Sequence, residues 1–441
     1  MTAPVRRAGV FAALCTLSLA VPLFDPRAAA ALAGVVLLGA YVITGGPLFD
    51  LLAYPGDYED SRLYGLITFV LAGVALGLMA TAASMPVAVF VGTILLVGYG
   101  NLGEQLVRLR TDDSVVRVAC FCLAAIGAAV VGQSVTYSVT GETAASALPV
   151  VVFLAASGAL LAALLRDVLL RSDDPIVVLS VGLLLWLLAE LEPAINSGEI
   201  AVALAITVAF GYASYALETA SIAGMLTGVL LGLLTIVLGG YGWFAVLISF
   251  FAIGGLSTKF RYDRKEDLGV AEDNNGARGS GNVLGNAAVA LAAVLGYAAS
   301  DAGFLPREPE LFLFAFAGSI ATAMSDTLSS EIGSVFETPR LITTLEPVDP
   351  GTDGGVTWQG ELAGVIGAAV VAGIASGLFP EIGLLGAAVI AVAGIVGMTV
   401  DSLLGATLEG SLLGNQSVNF LATLSGALVC ALLVLSFAML G

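Results

Sequence analysis

Histidine is absent from the 441-residue chain. That excludes an imidazole base, a histidine-containing triad and any histidine metal site. Lysine is almost absent too: of 16 basic residues, all but Lys259 and Lys265 are arginine. Charge is scarce altogether, at 11% of residues against the roughly 25% of a soluble domain. The 34 acids outnumber the bases, and the net charge of −18 speaks against nucleic acid as a partner. On a membrane protein such an acidic, lysine-poor surface suggests a high-salt cytoplasm, like that of a halophilic archaeon. The four cysteines, Cys15, Cys120, Cys122 and Cys430, lie in apolar runs without zinc or redox spacing, so they read as small buried hydrophobes. Any metal must therefore be held by oxygen, which favours Mg²⁺ or a similar hard cation.

What is present is apolar. Hydrophobic residues make up 58% of the chain, and the mean hydropathy is +1.00. Runs long enough to cross a ~30 Å hydrocarbon core recur along the whole length. We expect an all-α, polytopic integral membrane bundle of about 15 transmembrane helices, near 8–24, 28–48, 63–83, 85–103, 115–136, 143–165, 175–191, 200–217, 222–240, 242–257, 282–299, 311–327, 360–379, 382–403 and 417–440. A barrel would show short alternating strands instead. Arg6 and Arg7, an apolar run and Ala28-Ala29-Ala30 also fit a cleaved signal peptide, but a second span follows at once and favours an uncleaved helix.

With the N-terminus in the cytoplasm and the spans alternating, 14 of the 16 bases fall inside, Arg171 among them, and only Arg27 and Arg307 outside. This makes the chain a multi-pass cell-membrane protein whose two long loops, 258–281 and 328–359, face the cytoplasm. Residues 1–195 form a seven-span region of no assigned role, and 196–441 carry eight spans and nearly all the distinctive motifs. A faint echo links the halves. FVGTILLVGYGNLGEQL at 90–106 matches FAGSIATAMSDTLSSEI at 316–332 in its opening, and GAAVV recurs at 127–131 and 367–371. Either this is a degenerate internal repeat, or two apolar sequences echo by chance. In the repeat, Gly100-Asn101 falls near the position of Asp326, and the first copy lacks the carboxylate.

Ionisable groups within spans cost about 3 kcal/mol on insertion scales and mark function by default. Asp326 ends one span, Glu331 follows five residues later and Asp401 lies near the inner end of another. On an ideal helix Asp326 and Glu331 stand ~140° apart, so they share a face only if the helix breaks between them. With Ser325, Thr327 and Ser402 they make an oxygen-rich set suited to Mg²⁺. Helix capping at the membrane edge is the competing explanation. Lys259, Arg261, Arg264 and Lys265 either set topology or clamp a triphosphate. Asn282 and Asn286, spaced i,i+4 after Gly279-Ser280-Gly281, open the next helix. A glycine-rich turn at a helix N-terminus suits an anion, although the spacing fits neither the P-loop nor the dinucleotide fingerprint. Arg340 is either a bidentate phosphate ligand or the partner of Glu337 or Glu346. Asn415, Gln416 and Asn419 sit at the start of the last span, where amides cap, bind or join a buried network.

The segments STKFRYDRKEDLGVAEDNNGARGSGNVLGN, ATAMSDTLSSEIG, PRLITTLEPVDPGTDGGVTWQGELAG, VDSLLGATLEG and NQSVNFLATLSGAL stand in order. Over about 205–441 the chain resembles the transmembrane protein 19 family, also called domain of unknown function 92. That family includes plant phytyl-phosphate kinases and is similar in places to dolichol kinases and CDP-diacylglycerol synthases, which use CTP with Mg²⁺ at a membrane-embedded acidic site. The resemblance implies that Asp326, Glu331 and Asp401 are metal–nucleotide carboxylates. It implies phosphate handling by Lys259, Arg261, Asn282, Asn286 and Arg340; Asn419 joins the binding candidates. Leu328 stands where the family usually has Trp, and Leu345-Glu346 where it usually has Gly-Arg.

The expectation is an isoprenoid-phosphate kinase that makes a prenyl diphosphate from CTP with Mg²⁺ in the lipid bilayer. A phosphate monoester is itself a nucleophile at neutral pH, so the lack of histidine is no obstacle. Two other readings remain. One is a transporter or channel with an acid-lined ion path; the other is a cytidylyltransferase that makes a CDP-lipid.

Overall fold

The computed structural model describes residues 3–24, 26–141, 143–169, 174–271 and 277–440. Arg171, one of the expected inner charges, and residues 272–276 of the first long loop lie outside them. The chain is all-α, and each of the fifteen apolar runs coincides with a helix. Among the described residues twelve helices are long and apolar enough to cross a membrane. The count of fifteen spans is therefore approximate.

The chain divides into two compact units, Met1–Val202 and Ala203–Gly441. The first holds α1 (Ala3–Thr16), a 3-10 turn over Leu17–Leu23, α2 (Pro26–Val42), the short α3 (Pro47–Leu52) and α4 (Asp57–Asp60), α5 (Tyr64–Ala82), α6 (Val87–Val107), α7 (Ser114–Thr140), α8 (Ala144–Val168) and α9 (Asp174–Glu190). α10 (Ser197–Ala216) carries the boundary. In the first unit α6 is the central helix, with every residue from Ala88 to Gly98 buried. Gly100 and Gly103 let it lie against Phe121 and the Cys120 carbonyl of α7. Asp113 caps α7 by accepting from the Val115 and Val116 amides, and Gly141 ends it at φ +87. Cys15 and Cys430 are buried, Cys120 and Cys122 half-buried, and all four are free thiols.

The second unit comprises α11 (Ile222–Gly239), α12 (Tyr241–Ser257), the short α13 (Tyr262–Asp267), α14 (Ser280–Asp301), α15 (Pro309–Gly333), a two-stranded hairpin of β1 (Arg340–Leu341) and β2 (Gly355–Val356), α16 (Trp358–Leu378), α17 (Leu384–Leu408) and α18 (Asn415–Leu440). Its axis is α15, which is buried almost continuously from Phe316 to Ser325. Lipid solvates leucine as well as another helix does, so association in a bilayer relies on close backbone approach over small residues. The sequence supplies them. A Cβ on Gly364 would stand 2.9 Å from the Ser325 carbonyl, on Gly394 3.0 Å from Ala321, and on Gly318 3.0 Å from the Gly426 carbonyl. The Ser325 hydroxyl donates to the Gly364 carbonyl at 2.8 Å. These contacts bind α16, α17 and α18 to the one central helix.

The connections set which helix ends meet. α12, α15 and α17 finish, and α14, α16 and α18 begin, at one end of the unit, where α13, the hairpin and the turn 409–414 also lie.

Candidate functional site

That end of the second unit gathers the polar side chains. Asp326 lies in the last third of α15 and Asp401 in the last third of α17, and their carboxyls are within hydrogen-bonding reach of each other. The small-residue packing of Gly394 on Ala321 holds the two helices close enough for this. Both side chains are half-buried. Asp401 Oδ1 is fully buried and has no hydrogen-bond partner among the described residues. Two carboxylates held this close repel unless a cation or a proton lies between them.

Arg278 supplies the nearest positive charge. It attracts Asp326, its Nη2 donates to Thr327 Oγ1 at 3.4 Å, and its guanidinium lies over the Phe250 ring, 5.5 Å from the centroid. The backbone beneath it is pinned on both sides: its amide donates to the Thr219 carbonyl and its carbonyl accepts from the Ser221 amide, each at 3.0 Å. Gly224 permits that approach, because a Cβ there would collide with the Arg278 carbonyl. A buried arginine fixed by its main chain and stacked on a ring is a preorganised anion ligand.

Glu331 points elsewhere. α15 runs unbroken through Gly333, so the ~140° turn between positions 326 and 331 is realised. Glu331 forms a buried ion pair with Lys265 of α13. Lys265 Nζ also donates to the Ser257 and Thr258 carbonyls at 3.4 and 3.2 Å, where a cation suits the end of α12. Among the described residues no three His, Cys, Asp or Glu side chains gather in a metal-holding group. What exists is a pair, Asp326 and Asp401, and this suits Mg²⁺, which is held by one or two carboxylates and otherwise keeps water and phosphate oxygens.

The hairpin walls one side. Gly354 (φ +72) packs on α17, where a Cβ would stand 2.6 Å from the Ser402 carbonyl. Glu409, just past α17, has its carboxyl pushed above the usual range, first by burial and then by repulsion from Asp353 and Asp401. Arg340 is exposed on the hairpin and donates to the Leu345 carbonyl at 2.7 Å; Glu337 pairs with Arg264 instead. Arg261, exposed in the left-handed region at φ 49, lies over Phe260. Lys259 is half-buried after α12. Asn286 is buried and its Nδ2 donates to the Asn282 carbonyl at 2.9 Å. Asn419 Nδ2 donates to Asn415 Oδ1 at 3.1 Å. The starts of α14 and α18 meet there, since a Cβ on Gly285 would stand 3.0 Å from the Gln416 carbonyl.

Residues 205–427 match the family model described as integral membrane protein DUF92. The chain belongs to this family. It is 34% identical over 218 residues to an uncharacterized membrane protein of Methanocaldococcus jannaschii, a match that covers 48% of this chain and 84% of the relative. It is 33% identical over 220 residues to the chloroplastic protein VTE6 of Arabidopsis thaliana (48% and 65%). To protein PGR of the same plant it is 32% identical over 233 residues (47% and 78%). No solved structure matches. The family model covers most of the second unit and leaves the first without a counterpart. Arg278 and Glu409 are the members of the site that sequence reasoning passed over. The signal for Arg278 was its place between Ala277 and the Gly279-Ser280-Gly281 turn.

Proposed function

We propose that the chain is a membrane-embedded phosphotransferase that converts a prenyl monophosphate to the diphosphate, with CTP as donor and Mg²⁺ as cofactor. The observation that carries this reading is the carboxyl pair of Asp326 and Asp401 beside the pinned Arg278, with a buried Asp401 oxygen lacking a donor. Membership of a family that includes plant phytyl-phosphate kinases supports the substrate class. Of the seven bases in the second unit, Lys259, Arg261, Arg264, Lys265, Arg278 and Arg340 stand at the end that holds the pair, and Arg307 at the other. Such a bias supports a cytoplasmic position for that end, where nucleotide is available.

Asp326 and Asp401 would hold Mg²⁺, which when bound screens the donor's phosphates and the charge of the transition state. Arg278 orients a phosphate, since its guanidinium is already fixed by Thr327 and Phe250. A prenyl-phosphate oxygen attacks the terminal phosphorus of the donor, the bond to the β-bridging oxygen breaks, and the nucleoside diphosphate leaves. No protein base is needed. The hairpin seated on Ser402 limits water on one side. Lys265 and Glu331 hold α13 against α15.

Acids on neighbouring spans also favour a transporter, because such pairs line ion paths. Against that, the polar side chains of the unit gather at one end of it, with α13, the hairpin and the turn 409–414, whereas transporter sites lie near the midplane. The test uses purified protein in lipid nanodiscs with geranylgeranyl monophosphate, Mg²⁺ and CTP labelled on the terminal phosphate. The expected result is label in a lipid diphosphate, lost in Asp326→Asn. With CTP labelled on the α-phosphate instead, a labelled CDP-lipid would make the protein a cytidylyltransferase. No turnover, with cation flux in liposomes, would make it a transporter.

A further inference from the structure

A cavity of about 780 Å³ opens in the first unit, at the end where α1, α7 and α9 begin and α6 and α8 finish. Four arginines line it: Arg7, Arg108, Arg117 and Arg166. Arg166 is more than compensated, by Glu104 at 3.2 Å and Asp174 at 3.1 Å. The other three have no carboxylate partner among the described residues. Arg7 donates to the Ala53 carbonyl at 2.7 Å and lies over the Tyr54 ring at 4.4 Å, contacts that orient its charge without cancelling it. The guanidinium groups of Arg108 and Arg117 make no hydrogen bond or ion pair among the described residues. Against these three charges the lining offers one further acid, the exposed Asp167. Four arginines against Glu104, Asp167 and Asp174 leave the lining one positive charge in excess, gathered on Arg7, Arg108 and Arg117, which favours an anionic phosphate headgroup there.

An apolar groove lies one turn further along α1. Phe11, Leu14, Val36, Phe69 and Val70 line it, with about 170 Å³ of space. Phe11 touches Tyr54 (centroids 5.6 Å apart) and Phe69 (6.0 Å), so the ring pair Phe11–Tyr54 marks the boundary between charged cavity and oily groove. A ligand that satisfies both has an anionic head and a hydrocarbon chain.

We propose that the N-terminal unit binds a phosphorylated lipid, its phosphate held by Arg7, Arg108 and Arg117 and its chain laid along the groove of Phe11 and Phe69. This site has no cation-holding acid pair, and it stands whether or not the second unit is a kinase. The gain from two or three charge-assisted contacts to one phosphate is at least about tenfold in occupancy.

The test is photolabelling of the full chain in nanodiscs with a diazirine-bearing geranylgeranyl monophosphate, followed by peptide mapping. Label is expected within residues 1–202, reduced about tenfold in the double variant Arg108→Gln/Arg117→Gln and unchanged in Asp326→Asn. The matching prenyl alcohol, applied to the unaltered protein, should label that unit about tenfold less and so needs no variant to fold. Inorganic phosphate at equal concentration should not displace the probe; if it does, the ligand is a soluble phosphomonoester and the groove plays no part. Equal labelling by alcohol and phosphate, or label confined to the second unit, overturns the proposal. Loss of label in 1–202 from Asp326→Asn also overturns it, because the two sites would then be one.

Discussion

Lys265 and Glu331 form a pair whose disruption should be far more costly than its removal. Their side chains are 2% and 10% exposed, so each charge has lost nearly all its water. Lys265→Met leaves the Glu331 carboxylate buried with no counter-charge, and removal of one partner of such a pair costs about 3–5 kcal/mol. Glu331→Leu should cost less, because Lys265 keeps the Ser257 and Thr258 carbonyls as acceptors. The double variant places two apolar side chains of similar volume in contact, and such replacements are often neutral or stabilising. The cycle should therefore give a coupling of several kcal/mol, against the ~0.5 kcal/mol of independent sites. For a unit of this size a loss of 1 kcal/mol lowers the melting temperature by about 2–4 °C. Thermal melts in detergent should show Lys265→Met roughly 6–20 °C below the unaltered protein and the double variant near it. Additive losses in the cycle would refute the pairing. A double variant that melts normally but has lost phosphotransfer would return Glu331 to the catalytic group.

Asp401→Asn and Asp326→Asn each relieve the repulsion between the carboxyls, so both should fold as stably as the parent while phosphotransfer falls by about a hundredfold or more; melts and labelled-CTP assays check this. Mg²⁺ should raise the melting temperature of the parent, by about 2.7 kcal/mol of stability at a hundred times its dissociation constant, and leave both variants unmoved. Gly354→Val meets Ser402 and Ala406 and demands a left-handed backbone, so it should unseat the hairpin at a cost of about 1–3 kcal/mol and open 340–356 to protease. The Glu409 carboxyl is raised from 4.5 by burial and by Asp353 and Asp401; the folded state thus holds this proton more tightly than the unfolded chain. The penalty is absent below the ordinary value of 4.5 and grows as pH rises from there to the raised folded value. Glu409→Gln should match the parent in acid and melt higher at neutral pH.

The helices were legible because lipid imposes a simple rule: a run of about twenty apolar residues that satisfies its own backbone. The carboxylates of α15 and α17 were legible because charge is rare in such runs. Their union was not, since it depends on Gly394 lying against Ala321, 73 positions apart, and glycine is frequent throughout the chain. The divergence of Asp326 and Glu331 followed from helical geometry, but the partner of Glu331 did not. Lys265 sits among Lys259, Arg261 and Arg264, and nothing in that run says which one turns inward. Arg278 was counted as a topology charge because its role arises from the Thr219 and Ser221 backbone that grips it. Arg340 had carboxylates within six residues on both sides, and the hairpin instead gave it the carbonyl of Leu345.

The echo between 90–106 and 316–332 acquires physical content in the fold. Both stretches lie on the central helix of their unit, α6 and α15. In that register Asn101 corresponds to Thr327. Each takes a guanidinium from a neighbouring element: Arg166 donates to Asn101 at 3.1 Å, and Arg278 to Thr327 at 3.4 Å. The arginines come from different places, the end of α8 and the start of α14, so descent from one repeat does not account for them. A polar side chain near the end of a buried central helix has lost its water, and a long side chain from the rim restores the missing donor. The position before it separates the units. Gly100 has no side chain to offer, whereas Asp326 presents a carboxyl to Asp401. On this argument both units place an arginine near the end of their central helix; Arg166 is already held by Glu104 and Asp174, and under the proposal Arg278 meets a phosphate. The second alone adds the paired acids that could bring a cation, and with it a second phosphate, to the same spot.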